Sequence, residues 1–329
     1  MQLENLQKLL AKEPAYRLKQ IKQALFCDLV DDWESATVLP AGLRRKLAEG
    51  FPLKIEADAF LSKDEAAVKI LLHLSDGLKV ESVLMRHNDR RTVCVSSQVG
   101  CALGCAFCAT GRFGFKRNLE AGEIVEQVLF WARYLKQDHQ KLTNIVFMGM
   151  GEPFLNYDNV LSAIKILNDP EGFNLGARHF SISTAGVIEG INKLAAEPLQ
   201  VNLAISLHAP NDELRERLMP VNKKYPINEI LKAVDHYIGM NRRRVMFEYI
   251  MIKDVNDSPR EAAELARIVR GRLCFVNLIS YNPTSIFEPS PAGRTKEFKK
   301  ILEKEGVAVT QRWRLGSDID AACGQLAGF

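Results

Sequence analysis

Apolar positions along this chain change period more than once. Up to about residue 62 they recur at helical spacing: Leu6, Leu9 and Leu10, then Leu18, Ile21, Leu25 and Phe26. Pro40 opens a further short helix through Leu43 and Leu47, which Gly50 and Pro52 end. Residues 1–62 are therefore expected to form a small helical domain. From residue 66 the pattern turns to strands. Val68–Leu74 and Val80–Met85 flank the turn signal Ser75-Asp-Gly77, predicting a β-hairpin extension over 63–90. Arg91–Gln98 reads as one more strand.

Beyond it, strands and helices alternate. Strand-like runs fall at 144–148, 180–183, 201–205, 245–251 and 275–279, with helical stripes between them and after the last. Such alternation implies a parallel sheet covered by helices. Six units are fewer than a closed (β/α)8 barrel needs. The expected fold class is α/β, a partial (β/α)6 barrel over 91–329.

Composition narrows the class. The 329 residues are 47% hydrophobic and 26% charged, ordinary for a globular protein. No basic-then-apolar start suggests a secretory signal, and no run of about 18 apolar residues suggests a membrane span. Seven cysteines without such a signal favour a reducing, cytoplasmic setting and metal or redox chemistry over structural disulfides. The net charge of +4 permits an anionic partner. Basic residues cluster in the helical region: Arg17, Lys19 and Lys22, then Arg44, Arg45 and Lys46. They make either a solvated face or an RNA-docking surface, since phosphate contacts supply affinity and orientation.

The densest chemistry is Cys101-Ala-Leu-Gly-Cys105-Ala-Phe-Cys108, directly after the Arg91–Gln98 strand. Three thiolates suit an iron–sulfur cluster, which is usually held by four. A cubane held at three corners leaves one iron open. Structural zinc wants four closed ligands, usually in two pairs, and no second pair stands in the sequence. Polar and glycine-rich residues recur at the ends of the other strands: Gly151-Glu152-Pro153, Ser183, Ser206 and His208, and Asn282. In barrels of this kind the site lies at those ends.

The C-x3-C-x2-C spacing resembles the radical S-adenosylmethionine (SAM) superfamily. With Met148-Gly-Met-Gly-Glu-Pro153, Ser183-Thr-Ala-Gly186, Ser206-Leu-His-Ala-Pro-Asn211, Tyr281-Asn-Pro283 and the tail Asp318-Ile-Asp-Ala-Ala-Cys-Gly-Gln-Leu-Ala-Gly328, the whole chain resembles the RlmN/Cfr adenine methyltransferases. The resemblance implies a radical-SAM barrel that methylates an aromatic carbon of adenine in RNA. RlmN acts on C2 of adenine 2503 in 23S rRNA and, in some members, on C2 of adenine 37 in tRNA. Cfr acts on C8 of the same ribosomal adenine. Pro153 follows the RlmN pattern, so C2 is expected, with C8 as the alternative. The chain stops soon after the tail motif, without the basic extension of some longer members, which favours rRNA over tRNA.

Carried over by motif, Cys101, Cys105 and Cys108 bind a [4Fe–4S] cluster. Gly151, Glu152, Ser183, Ser206, Leu207, His208 and Asn282 contact SAM. Cys323 is the S-methylated cysteine, Cys94 the second catalytic thiol and Glu81 the proton acceptor. Two SAM molecules are used per turnover, and an electron donor such as flavodoxin or ferredoxin is implied. A monomer is expected. The chemistry agrees with those roles. An adenine C–H carbon is a poor nucleophile, whereas a thiolate can take SAM's methyl first. A second thiol must then release the product by forming a disulfide with Cys323. By their apolar neighbours alone, Cys27 and Cys274 read as core cysteines.

Overall fold

The alternating stretch builds one ten-stranded sheet, ordered β1 to β4 and then β7 to β12. This computed structural model describes residues 6, 9–10, 13–284, 287–312 and 314–327. The helical reading at 1–5, 7–8 and 11–12, and Gly328 of the tail motif, lie outside them.

The parallel part is the barrel wall. It runs β4 (Arg90–Val95), β7 (Asn144–Phe147), β8 (Phe180–Thr184), β9 (Asn202–Ser206), β10 (Val245–Met251), β11 (Cys274–Ser280) and the short β12 (Val309–Gln311). Valine, isoleucine and phenylalanine dominate these strands because both faces are covered. Their side chains join one continuous core with the stripes of the outer helices, such as Ile124, Val128 and Leu135. Beyond the six expected units, β12 adds a seventh parallel strand. No pairing joins β12 back to β1 among the described residues, so the barrel stays open.

At the other edge, β1 (Ala57–Leu61), β2 (Ala67–His73) and β3 (Lys79–His87) run antiparallel into β4. The extension is thus continuous with the barrel sheet. It starts inside the stretch expected to be helical, because Ala57–Leu61 pairs with the free edge of β2. That pairing satisfies its backbone groups, which local spacing does not report.

The helical region keeps its own core. Ile21, Leu25, Leu43, Leu47 and Phe51 surround Trp33, whose indole N–H donates to Phe51 O at 2.7 Å. It rests on the barrel through Lys22–Asp169 at 2.6 Å and Arg133 to Leu53 O at 3.0 Å. Cys27 lies outside that core. It is exposed, with its thiol 3.2 Å from Gly172 O, because the turn holding it ends at the domain contact. Cys274 is buried.

The strand read as Arg91–Gln98 breaks at Val95. Gln98–Gly100 (β5) pairs instead with Phe115–Asn118 (β6) in a separate ribbon that brackets the cysteines. Gly100 sits at φ +77°, and a Cβ there would fall 1.9 Å from Gly114 O. Only glycine lets the ribbon close at that point. No described helix is long and apolar enough to cross a membrane.

Candidate active site

The C-terminal ends of the parallel strands converge on one cavity. Every candidate site residue lines it except Leu207 and Glu81.

The cysteine loop forms one wall. Its ends are tied by Cys101 N–H to Gly114 O at 3.0 Å and Ala106 N–H to Leu218 O at 2.9 Å. Burial pushes the Cys101 thiol up to about 12 and Cys105 well above its ordinary value, and neighbouring sulfurs add to both. Buried thiols of this kind become thiolates when a cation is bound among them. No described set of His, Cys, Asp and Glu closes tightly enough for a single metal ion. Three thiols on an open wall, with no fourth protein ligand among the described residues, fit a cluster with one free corner better than closed zinc.

The opposite side is polar. Glu152 is buried, and its carboxylate accepts Phe154 N–H at 3.1 Å and Ala185 N–H at 2.7 Å. Burial raises its pKa, and those donors pull it back. Ser183 Oγ and Ser206 Oγ lie 3.3 Å apart. Asn282 donates to Cys323 O at 3.1 Å, while its Oδ1 is buried without a partner. Glu248 Oε1 is also buried and unpartnered. Unmet acceptors beside a cavity call for a ligand that brings donors, as SAM's ammonium, ribose and amine would. The residues present therefore fit both groups.

Leu207 stands apart. Its side chain is in the core, its N–H donates to Glu248 O and its carbonyl accepts from Arg215. His208 adopts φ +60° and its Nδ1 accepts Ile250 N–H at 3.1 Å. Burial, with Arg215 nearby, pushes its pKa down to about 3, so the ring is neutral.

Cys94 and Cys323 face the same space as free thiols. Burial pushes Cys94 up to about 12, against the pull of Arg312, and Cys323 adds to the rise. Cys323 borders open cavity at residue level, yet its sulfur is hemmed in. Burial raises its pKa, Arg312 lowers it, and Glu248 and Cys108 raise it further. Burial opposes charge on Arg312, but Cys323, Glu248 and Cys94 around it keep it cationic.

Glu81 is placed differently from the other candidates. It is buried behind the wall on β3, with Oε1 2.8 Å from Lys69 Nζ and Oε2 accepting Ala327 N–H at 2.5 Å.

Glu248 and Arg312 were not among the sequence candidates. Glu248 had a readable signal, a lone charge inside the apolar run Val245–Met251. Arg312 had none, since it follows the short strand Val309–Gln311 and only the barrel brings it inward.

Comparison with known proteins agrees with this geometry. Residues 95–266 match the Radical SAM superfamily. The chain is 46% identical to a probable dual-specificity RNA methyltransferase RlmN of Symbiobacterium thermophilum, covering 99% of this chain and 90% of that one. It is also 46% identical to a ribosomal RNA large subunit methyltransferase N of Nitrosopumilus maritimus, over 94% and 92%. The crystal structure of a radical SAM methyltransferase from Sphaerobacter thermophilus superposes with a TM-score of 0.96 at 47% identity, over 100% and 98%. With its cysteine wall, its acceptor-lined cavity and relatives matched over nearly its full length, the chain belongs to the RlmN family of radical-SAM RNA methyltransferases.

Proposed function

We propose that this enzyme methylates C2 of adenine 2503 in 23S rRNA, and adenine 37 of tRNA as a second substrate, through an S-methylated Cys323. The observation that carries the reading is the meeting of Cys94 and Cys323 in the cavity walled by Cys101, Cys105 and Cys108. The RlmN names of the relatives support C2 over C8, and the dual-specificity name supports the tRNA substrate.

Cys101, Cys105 and Cys108 would hold the [4Fe–4S] cluster, which supplies one-electron cleavage of SAM to an adenosyl radical. Glu152 accepts from SAM's ammonium, and Ser183, Ser206 and Asn282 engage its hydroxyls and carboxylate. Cys323 takes a methyl from one SAM, with Arg312 favouring its thiolate. After hydrogen loss to the radical from a second SAM, the S-bound carbon joins the adenine ring. The adduct radical then gives up one electron, which the oxidised cluster would take back, and the ring proton leaves. The resemblance assigns it to Glu81, whose carboxylate is already committed to Lys69 and Ala327. Cys94 forms the S–S bond with Cys323 as the Cys323 S–C bond breaks; the electron pair of that bond stays on the carbon, which takes up a proton and leaves as the ring's new methyl. The electron comes from a donor such as flavodoxin or ferredoxin, and an outside reductant returns the disulfide to thiols.

The test is a trap. Cys94→Ala protein is expected to accumulate as a covalent RNA adduct that RNase trims to an oligonucleotide remnant, read by intact mass. Cys323→Ala and the double variant should form none. Cys94→Ala protein that is free of RNA and methylates normally would sink the proposal.

A further inference from the structure

The tail carrying Cys323 is not simply draped over the cavity. On one side it is tied to the cysteine loop, by Ala109 N–H to Gly324 O at 2.7 Å and Thr110 Oγ to Leu326 O at 2.6 Å. On the other it is tied to the antiparallel extension. Lys63 N–H donates to Asp318 Oδ2 at 2.9 Å. Gly316 lies so close to β2 that a Cβ would sit 2.8 Å from Ala67.

A buried ion pair adds two more ties on that side. Lys69 on β2 and Glu81 on β3 are diagonal neighbours, since Lys69 pairs with Val83 and Leu71 with Glu81. Their side chains are only 10% and 1% exposed. Lys69 Nζ donates to Asp320 O at 3.5 Å, and Glu81 accepts Ala327 N–H at 2.5 Å. The pair therefore grips the tail on both sides of Cys323.

We propose that Lys69 and Glu81 form a clamp that sets the position of the methyl-carrier segment. Each charge in the pair is buried and offset by the other, so the two side chains stay together and hold both stretches of the tail. The proposal rests on the reading of Cys323 as methyl carrier, but tail docking can be measured without turnover.

The experiment compares Lys69→Met/Glu81→Gln with Lys69→Met/Glu81→Ala in cluster-loaded protein. Neither leaves a buried charge unpaired. The glutamine amide oxygen can still accept Ala327 N–H, and alanine cannot. The readouts are hydrogen exchange over residues 316–327, S-methylation of Cys323 by mass spectrometry, and RNA methylation. The glutamine double variant should keep the tail protected and keep Cys323 S-methylated. The alanine double variant should lose protection at the tail and S-methylation with it. Equal tail protection in both variants would overturn the clamp. RNA methylation should be lost in the alanine variant together with the methyl it would pass on. If the parent never methylates Cys323, the carrier reading fails on its own, while the exchange data still decide the clamp.

Discussion

Arg215 offers the sharpest test of how the cavity is built. Its side chain is fully buried on the helix Asp212–Leu218. The guanidinium donates to Ser206 O at 3.2 Å, Leu207 O at 3.1 Å, Ala185 O at 2.5 Å, Tyr225 O at 3.1 Å and Asn222 Oδ1 at 2.8 Å. It therefore ties the ends of β8 and β9 together where SAM is proposed to bind. Burial pushes its pKa down to about 10, so it stays charged at neutral pH. Arg215→Met keeps comparable bulk but strands those acceptors. Each buried acceptor left without its donor costs about 1–3 kcal/mol, so losing this set costs about 4 kcal/mol or more. At about 2.1 cal/mol/K per residue, the unfolding entropy of 329 residues is roughly 0.7 kcal/mol/K. A loss of about 4 kcal/mol then lowers Tm by about 6 °C. Arg215→Lys, with one nitrogen for several acceptors, should fall between. Thermal melts of the cluster-free protein give the Tm, and calorimetry on the reconstituted enzyme gives SAM affinity, which should drop with it. An Arg215→Met protein within about 1 °C of the parent, binding SAM as tightly, would refute the reasoning.

Two further outcomes are expected. The pKa of His208 falls from 6.5 to about 3 on folding, so its contribution is present above about 6.5 and is lost as pH falls toward 3. Between pH 7 and 5 the loss is about 2 kcal/mol, from roughly 1.36 kcal/mol per unit. Denaturant melts at the two pH values should show it, and His208→Asn, which tolerates the left-handed backbone, should flatten the slope; equal slopes would contradict the assignment. Arg45 and Lys46 are exposed, whereas Arg44 is held by Glu34, with Nη1 2.6 Å from Glu34 O. Arg45→Ala/Lys46→Ala should therefore weaken RNA binding and lower its salt slope by about one per lost contact; unchanged binding at every salt concentration would leave a solvated face.

The barrel was legible in the sequence because each strand is an apolar run ending in polar or glycine residues, and those ends are where the cavity forms. The ribbon of Gln98–Gly100 with Phe115–Asn118 was not legible, since its pairing spans the cysteine loop and leaves no local period. Ala57–Leu61 escaped for the same reason: its partner β2 makes it a strand. Cys94 stands in an apolar strand and is buried; only the motif resemblance linked it to Cys323. Alternation with Val80 in its strand gives no sign that Glu81 is buried. Its burial comes from Lys69 and the tail, contacts no window around residue 81 contains.

The central claim concerns a position on one base. The direct measurement is mass spectrometry of adenines from 23S rRNA of a strain lacking the resident enzyme, with and without this protein. The account predicts that 2-methyladenine at position 2503 appears only when the protein is supplied. Methylation at C8, or no change at that adenine, would contradict it.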